Sequence, residues 1–446
     1  MANCGLGTRW KQDREKIGLL LVVVALALPF AWWPQIAQGR DGLALFSQYL
    51  GLDALIAMAI SHLIATRWPG VEMVFGPMDQ SYRLHKWLGI GAMVAILLHD
   101  TIDADMKGLG QETMLVDLAE TLGEVSLYGL LMLVVITVAT FIPYHLWKWT
   151  HRFIGIFFLF GAFHYLFILK PFKNGDPLGL YMWAVCIVGT VAYAWTSAPR
   201  GMRPRKSYEI AAVTQEGDAI AVDMKTTGRP LRHRAGQFAF FRFSGAGLNE
   251  PHPFTISSAP VDDGALRITV APLGDLTNRV SRSLAAGQAL QAGGPYGHFG
   301  RAKGAQVWIA AGVGVTPFVA LAQALFADAA PVTLVYCVRD KANAPHLAEL
   351  EALAEAKSNL TLVLWQSAER GRFTAAALPD LVDDLATRKV LFCGPVAMRR
   401  ALSRDLPKQG VSQRNFHYEA FEIRTGIGIR RLAEWLWQRH QARSAS

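Results

Sequence analysis

The sequence is poor in cysteine and in charge. Four cysteines, Cys4, Cys186, Cys337 and Cys393, are scattered through 446 residues. They show no zinc spacing and no plant-type iron–sulfur spacing, and nothing that reads as a disulfide framework. No EF-hand loop or other acidic calcium motif is present, which argues against calcium control. Charged residues make up 18% of the chain and hydrophobic residues 52%, a balance too apolar for a protein soluble throughout. The formal net charge of +9 invites a nucleic-acid reading. However, Lys and Arg sit mostly at the ends of apolar runs, which is positive-inside topology and not a nucleic-acid interface. A cleaved signal is not expected either: the first apolar run has no small-residue cleavage site and continues into Ala31, Trp32 and Trp33.

What the chain does have is apolar sequence in blocks. Six runs, at about Ile17–Trp33, Leu43–Ala65, Leu84–His99, Val125–Tyr144, Phe153–Leu169 and Leu178–Trp195, read as membrane helices. Trp33, Trp68, Trp147, Trp149 and Trp195 at run ends fit an interfacial belt. Loop charges set the direction. Arg9, Lys11, Arg14 and Lys16 precede the first run, and Arg67, Arg83 and Lys86 follow the second. Lys148 and Arg152 follow the fourth, and Arg200, Arg203, Arg205 and Lys206 the sixth. The loop after the third is acidic, with Asp100, Asp103, Asp105, Glu112, Asp117, Glu120 and Glu124. Only Lys170 and Lys173, after the fifth, dissent. Both termini are therefore expected on the cytoplasmic side.

Two of the runs carry paired histidines: His85 and His99 in the third, His151 and His164 in the fifth. Fourteen residues separate the first two. On a helix this places them ~21 Å apart and within ~40° of one face. Interfacial histidines would explain one such helix. A second copy favours ligands, since neutral imidazole is a common haem ligand and an ionisable group inside a membrane span is a functional candidate. The two runs point the same way, so His85 can pair with His151 at the inner level and His99 with His164 at the outer. Each pair would supply both axial ligands of an electron-carrying haem. Thirteen residues turn ~220°, leaving His151 and His164 ~140° apart on an ideal helix, so a kink or π-bulge is expected near Gly155 or Gly161. His62 and His145 fall outside the two levels and read as interfacial.

After a polar linker, Ala198–Lys206, the pattern changes to short strands with turns from Tyr208 to about Gly300 (YEIAAV, AIAVDMKT, GQFAFFRF, ALRITVAP). A small antiparallel barrel is expected there. From Gln306 strands alternate with helices, the pattern of a parallel α/β sheet for a nucleotide. Its first strand runs into Gly312-Val313-Gly314-Val315-Thr316-Pro317. Glycines let a backbone approach a pyrophosphate, and Pro317 suits the first turn of a helix. Thr316 is either a phosphate ligand or an N-cap. The expected architecture is thus multi-domain. A six-helix transmembrane haem bundle (1–197) and a linker (198–206) lead to an antiparallel β-barrel (207–301). A parallel α/β domain (302–424) and a basic amphipathic extension (425–446) complete the chain.

Taken together, MDQSYRLHK, THRFIGIFFLFGAFH and the soluble motifs resemble the NADPH oxidase and ferric reductase family, over about residues 43 to 424. In that family a haem-bearing membrane domain is fused to a ferredoxin-reductase-type FAD and NADPH module. The resemblance implies that His85, His99, His151 and His164 hold two b-type haems. His252-Pro253-Phe254-Thr255 looks like the flavin motif. It implies Phe254 packed on the isoalloxazine, Thr255 hydrogen-bonded near N5, and His252 at the phosphate or ribose part. Gly274-Asp275-Leu276-Thr277 resembles the segment around the FAD pyrophosphate, and Gly294-Pro295-Tyr296-Gly297 the turn closing the flavin domain. Cys393-Gly394-Pro395 corresponds to a strand-end motif beside the nicotinamide. Arg339 stands where the family reads the NADP 2′-phosphate, although a surface arginine is the plainer alternative. Phe421, in HYEAFEIR, would cover the flavin ring until nicotinamide displaces it.

The activity so implied moves electrons from cytoplasmic NADPH, with NADH possible, through FAD and the two haems to an acceptor beyond the membrane. That acceptor would be oxygen, giving superoxide, or a ferric chelate. The location implied is a bacterial cytoplasmic membrane, with the FAD and NAD(P) domains inside. With both axial positions taken by histidine, oxygen would have to react without binding iron. Two features depart from the family. The chain continues past Phe421 with a Trp-bearing basic helix, suited to a membrane surface or to docking on its own flavin domain. Asp103 also stands where some oxidases carry a further histidine. A competing organisation is a membrane cytochrome b that serves another enzyme, and the soluble half argues against it.

Overall fold

The computed structural model describes residues 6–102, 109–138, 144–198, 205–245, 247–300 and 302–418. They fall into two compact units, one of helices up to residue 200 and one spanning residues 201–420. Phe421 and the amphipathic extension lie outside the described residues, as do Asp103 and Asp105.

The helical unit contains α1 (Leu6–Ala27), α2 (Trp33–Ile36), α3 (Gly42–Ala65), α4 (Pro69–Phe75), α5 (Met78–Thr101), α6 (Met114–Val138), α7 (Tyr144–His151), α8 (Ile154–Phe167) and α9 (Pro177–Ser197). Pro29 and Pro34 convert the end of the first apolar run into a 3₁₀ turn and a short helix. Asp41 caps α3, accepting from the Ala44 amide at 2.8 Å. α3 is the most buried helix: Leu45, Tyr49, Ile56 and Ile64 on it are almost wholly enclosed. It packs on α5 and α9, while α6 packs on α8. Elsewhere the unit shows apolar residues outward, among them Leu20 and Val23 on α1, Val135 on α6 and Ile187 and Val191 on α9. An outer surface of this kind is suited to lipid and not to water.

Among the described residues four helices are long and apolar enough to cross a membrane: Ile17–Ile36, Gly42–Ala65, Met114–Thr137 and Pro177–Ser197. The other two expected spans are present as helices α5 and α8 but do not reach that standard. The polar ends of α5, with Arg83, Lys86, the two histidines and Asp100, dilute its apolar stretch, and α8 has only 14 residues. The shortening of α8 has a local cause. The chain breaks its helix at Arg152–Phe153, just past His151, so the fifth run is split into α7 and α8. The break expected near Gly155 or Gly161 therefore falls two residues before Gly155.

The second unit contains two sheets. The first is antiparallel, in the order β4-β3-β6-β1-β2-β5. Its strands are β1 (Lys206–Glu216), β2 (Ala219–Thr226), β3 (Phe238–Phe243), β4 (His252–Thr255), β5 (Leu266–Val270) and β6 (Ala289–Tyr296). Ile256, just past β4, bridges Ile268 on β5, so the two outermost strands meet and the sheet curls into the expected barrel. Phe241, Phe243, Val222 and Ile268 fill its interior. α10 (Asp275–Ser283) follows β5.

The second sheet is parallel throughout, in the order β11-β10-β7-β8-β9. It comprises β7 (Gln306–Ala311), β8 (Val332–Val338), β9 (Leu360–Gln366), β10 (Lys389–Cys393) and β11 (Phe416–Tyr418). The connecting helices are α11 (Thr316–Gln323), α12 (Leu347–Ala356), α13 (Ser367–Arg370) and α14 (Val396–Asp405). Every residue of β8 is buried, as a strand covered on both faces must be. The chain order reverses between β7 and β10, and ligands of such sheets bind at that switch point, beyond the strand ends.

Candidate functional site

The two expected histidine levels can be followed ring by ring. At the inner level the His85 and His151 ring centroids are 6.2 Å apart. With metal–nitrogen bonds of about 2 Å and ring centres roughly 1 Å behind the nitrogens, two imidazoles on one metal would stand roughly 6 Å apart. At the outer level His99 and His164 lie within electrostatic reach of each other. The helix break at Arg152–Phe153 frees α8 from the rotational phase of α7.

Each of the four rings is also held from behind. Nδ1 lies 3.0 Å from the Ser61 carbonyl in His85, 2.8 Å from the Ser47 carbonyl in His99, and 2.8 Å from the Ala119 carbonyl in His164. In His151 it lies 3.4 Å from the Thr137 hydroxyl. A carbonyl can only accept, so Nδ1 carries the proton in the first three and the Nε2 lone pair is left for a ligand. This is how metal-binding histidines are oriented. Ser47 adds its hydroxyl, which donates to the His99 carbonyl at 2.9 Å. α5 and α8 hardly touch one another, being held instead by α3 and α6. Among the described residues no three His, Cys, Asp or Glu side chains converge as a metal site.

Sequence reading passed over the residues that orient these rings. Ser47 and Ser61 stand fourteen apart on α3, the same interval as His85 and His99 on the antiparallel α5. Because these contacts are to backbone carbonyls, the spacing of the serines carried no signal of its own. His62 packs edge-on to Phe158 at 5.1 Å and against Tyr193 at 5.5 Å. Lys170, which broke the charge pattern of the loops, has a local use. Its Nζ donates to the Tyr165 and Leu166 carbonyls at 2.8 and 3.3 Å, closing the last turn of α8, where His164 sits.

In the barrel, His252-Pro253-Phe254-Thr255 forms β4 in antiparallel register with β3, Thr255 opposite Phe238 and Phe254 opposite Ala239. Successive strand residues face opposite ways. Phe254 turns toward Phe241 and Phe243, each 6.3 Å away, on the same side as His252, and Thr255 takes the other side. Phe238, Phe240 and Tyr296 form a second aromatic group, with Tyr296 5.9 and 5.7 Å from the two phenylalanines. Gly274 is the N-cap of α10 and Asp275 its first residue. The Thr277 hydroxyl is committed to this turn, accepting from the Gly274 amide at 2.9 Å.

In the parallel sheet the two glycine motifs are neighbours. Gly312 has φ +54, the left-handed region, and opens a 3₁₀ turn after β7. A Cβ on Gly314 would collide with the Cys393 carbonyl and come within 3.0 Å of the Gly394 Cα. The turns after β7 and β10 thus close on each other at the switch point, and only glycine fits. Thr316 is buried as the first residue of α11, and no side chain caps that helix, so the N-cap role does not apply. Pro317 is buried beside it. Arg339 is exposed just past β8, its carbonyl accepting from the Ala368 amide at 3.0 Å. Gly394 and Pro395 lead from Cys393 into α14.

Comparison with known proteins agrees with this division. Residues 50–162 match the ferric reductase like transmembrane component, residues 205–306 an FAD-binding domain, and residues 308–404 the oxidoreductase NAD-binding domain. The ferredoxin reductase component of 3-ketosteroid-9-alpha-monooxygenase from Mycolicibacterium smegmatis is 30% identical over 215 residues, 46% of this chain and 59% of that one. The reductase subunit of stachydrine N-demethylase from Rhizobium meliloti is 29% identical over 217 residues, 45% of this chain and 61% of that one. The chain thus spans about three fifths of the length of these curated relatives. Among solved structures, an Amycolatopsis cytochrome P450 reductase superimposes with a TM-score of 0.43 at 25% identity, covering 49% of this chain and 70% of its own. A ferric-reductase-like membrane component followed in one chain by FAD-binding and NAD-binding domains is the architecture of the NADPH oxidase and ferric reductase family, to which this chain belongs.

Proposed function

We propose that this membrane NAD(P)H oxidoreductase takes hydride from NADPH on the cytoplasmic side and delivers single electrons, through FAD and two b-type haems, to an acceptor beyond the membrane. The observation that carries the reading is the set of four histidines with Nδ1 engaged from behind. His85 and His151 would hold the inner haem, His99 and His164 the outer. When bound, a bis-histidine haem supplies one-electron transfer with no open position on iron. The protein's part is to place and tune these groups. The six apolar segments would then all cross, with both termini and the reductase unit on the cytoplasmic side.

In the reductase unit, β4 and the α10 N-terminus are the proposed FAD site. Thr255 would lie near N5, Phe254 against the isoalloxazine, and His252 and Pro253 at the phosphate or ribose part. Gly274, Asp275 and Thr277 would meet the pyrophosphate. The paired turns of Gly312, Gly314, Thr316 and Pro317 with Cys393, Gly394 and Pro395 would take the NADPH pyrophosphate and nicotinamide. Arg339 would pair with the 2′-phosphate, a dianion suited to a guanidinium. Phe421 keeps its proposed role over the flavin ring.

Oxygen and a ferric chelate are the two acceptors in keeping with this chemistry. The exposed Asp100 at the outer mouth is compatible with a cationic iron species and equally with a solvated loop. Haem content tests the ligand assignment. The wild type should release about two haems per chain, and His85→Ala and His164→Ala about one each. Unchanged content in both variants would refute it. For the coenzyme, Arg339→Ala should raise KM for NADPH far more than KM for NADH; an equal rise would remove Arg339 from the 2′-phosphate site.

A further inference from the structure

A group of polar residues outside every motif ties the flavin barrel to the nucleotide sheet. Gln323 ends α11, the helix that begins with Thr316 and Pro317. Its side-chain oxygen accepts from the Ala259 amide at 2.6 Å. Ala259 lies only four residues past Thr255, on the segment leaving β4. The Gln323 side-chain amide donates to Glu349 on α12. Glu349 in turn accepts from Arg267 Nη2 with both oxygens, at 3.0 and 2.8 Å. Arg267 stands on β5 of the barrel and also donates to the Ser257 carbonyl at 3.0 Å.

Beside this chain of bonds is His346, buried, with φ +57 immediately before α12. Its Nε2 lies 2.7 Å from the Thr269 hydroxyl of β5, and its amide donates to Glu216 Oε2 of β1 at 2.9 Å. Lys357 fastens the far side, donating to the Gln323 and Leu325 carbonyls at 2.9 and 2.6 Å. One side chain, Gln323, thus connects the helix that carries the nucleotide turn to the segment that carries the proposed flavin strand. Glu349 fixes the orientation of Gln323, and Arg267 fixes Glu349.

We propose that Gln323 and Glu349 are positioning residues for hydride transfer, setting the nucleotide turn at its working height over the flavin strand. The proposal rests on the FAD and NAD(P)H reading given above. Neither residue exchanges an atom or an electron in the step. Their effect is on the approach distance, where a displacement of about 1 Å can cost ~10²-fold in rate.

The test uses the full-length, FAD-loaded protein and the variants Gln323→Ala, Glu349→Gln and Glu349→Asp. Two readouts are taken: flavin bleaching by NADPH in anaerobic stopped flow, and amide hydrogen exchange at Ala259 and His346. Gln323→Ala and Glu349→Gln should lower the limiting bleaching rate about tenfold or more while KM and FAD content change little. Exchange at Ala259 should rise, and Glu349→Asp should recover part of the rate. A limiting rate within about twofold of wild type, or a fall matched by an equal loss of FAD, overturns the positioning role. Failure of the underlying reading is distinct: the wild-type flavin would then not be bleached by either coenzyme, and the positioning role would fall with it. Unchanged exchange at Ala259 in Gln323→Ala would show that the bond does not tie the domains and would overturn the proposal on structural grounds alone.

Discussion

His164 depends on the absence of a methyl group. A Cβ on Gly123 of α6 would lie 2.6 Å from His164 Nδ1 and 2.9 Å from Cε1, in the space through which that ring reaches the Ala119 carbonyl. Gly51 of α3 has the looser version of the same relation to His99, with the nearest ring atoms 3.4 Å from the added Cβ. Gly123→Ala should therefore displace the His164 ring at an overpacking cost of about 1–3 kcal/mol. On the proposed two-haem reading, the expected outcome is loss of the outer half of the haem complement, read by extraction, with the inner half retained. Gly51→Ala should leave haem content near wild type. Equal effects of the two variants would mean that the rings are not placed as described. The histidines themselves were legible in the sequence, because ionisable residues are conspicuous against apolar runs. The groups that orient them were not, because a backbone carbonyl has no sequence signature.

At the scale of elements, the break between α7 and α8 solves a geometric problem that helical periodicity exposes but cannot locate. Thirteen residues of continuous helix would turn His151 and His164 away from each other, and two non-helical residues remove that constraint. The need for a break could be read from spacing. Its position at Arg152–Phe153, and not at a glycine, could not, and the rings of Trp149 and Phe153 meet across it at 5.0 Å.

The polar tie between the barrel and the parallel sheet was wholly illegible, since Arg267, Gln323 and Glu349 are ordinary surface residues until the fold brings them together. It also has a pH signature. Burial raises the Glu349 pKa, but hydrogen bonds from His346, Arg267 and Gln323 outweigh it and hold the carboxyl at about 2, against 4.5 in a free side chain. A depressed carboxylate stabilises the fold fully above its unfolded pKa and less as pH falls through the folded one. The contribution, at most about 3 kcal/mol, should thus be complete at pH 5 to 8 and fade between about 4.5 and 2. Thermal melts should show the wild type losing its advantage over Glu349→Gln across that acid window. A constant difference down to pH 2 would contradict the assignment.

For the whole molecule, hydropathy and strand periodicity divided the chain correctly into a helical membrane half and two sheets. Strand β7, its glycine turn and the antiparallel first sheet were all expected from local pattern. The count of spans was less accessible, because α5 carries charged residues toward its ends and α8, though strongly apolar, has only 14 residues after the break at Arg152–Phe153.

The continuity of the proposed electron path is the central claim, and anaerobic addition of NADPH to the purified full-length protein tests it most directly. Flavin absorbance should bleach first, and the reduced haem bands should then rise to about two haems per chain. Oxygen or ferric citrate, added separately afterwards, should reverse the haem signal. Flavin that bleaches while the haem bands stay oxidised would contradict the proposed path from NADPH to the outer histidine pair.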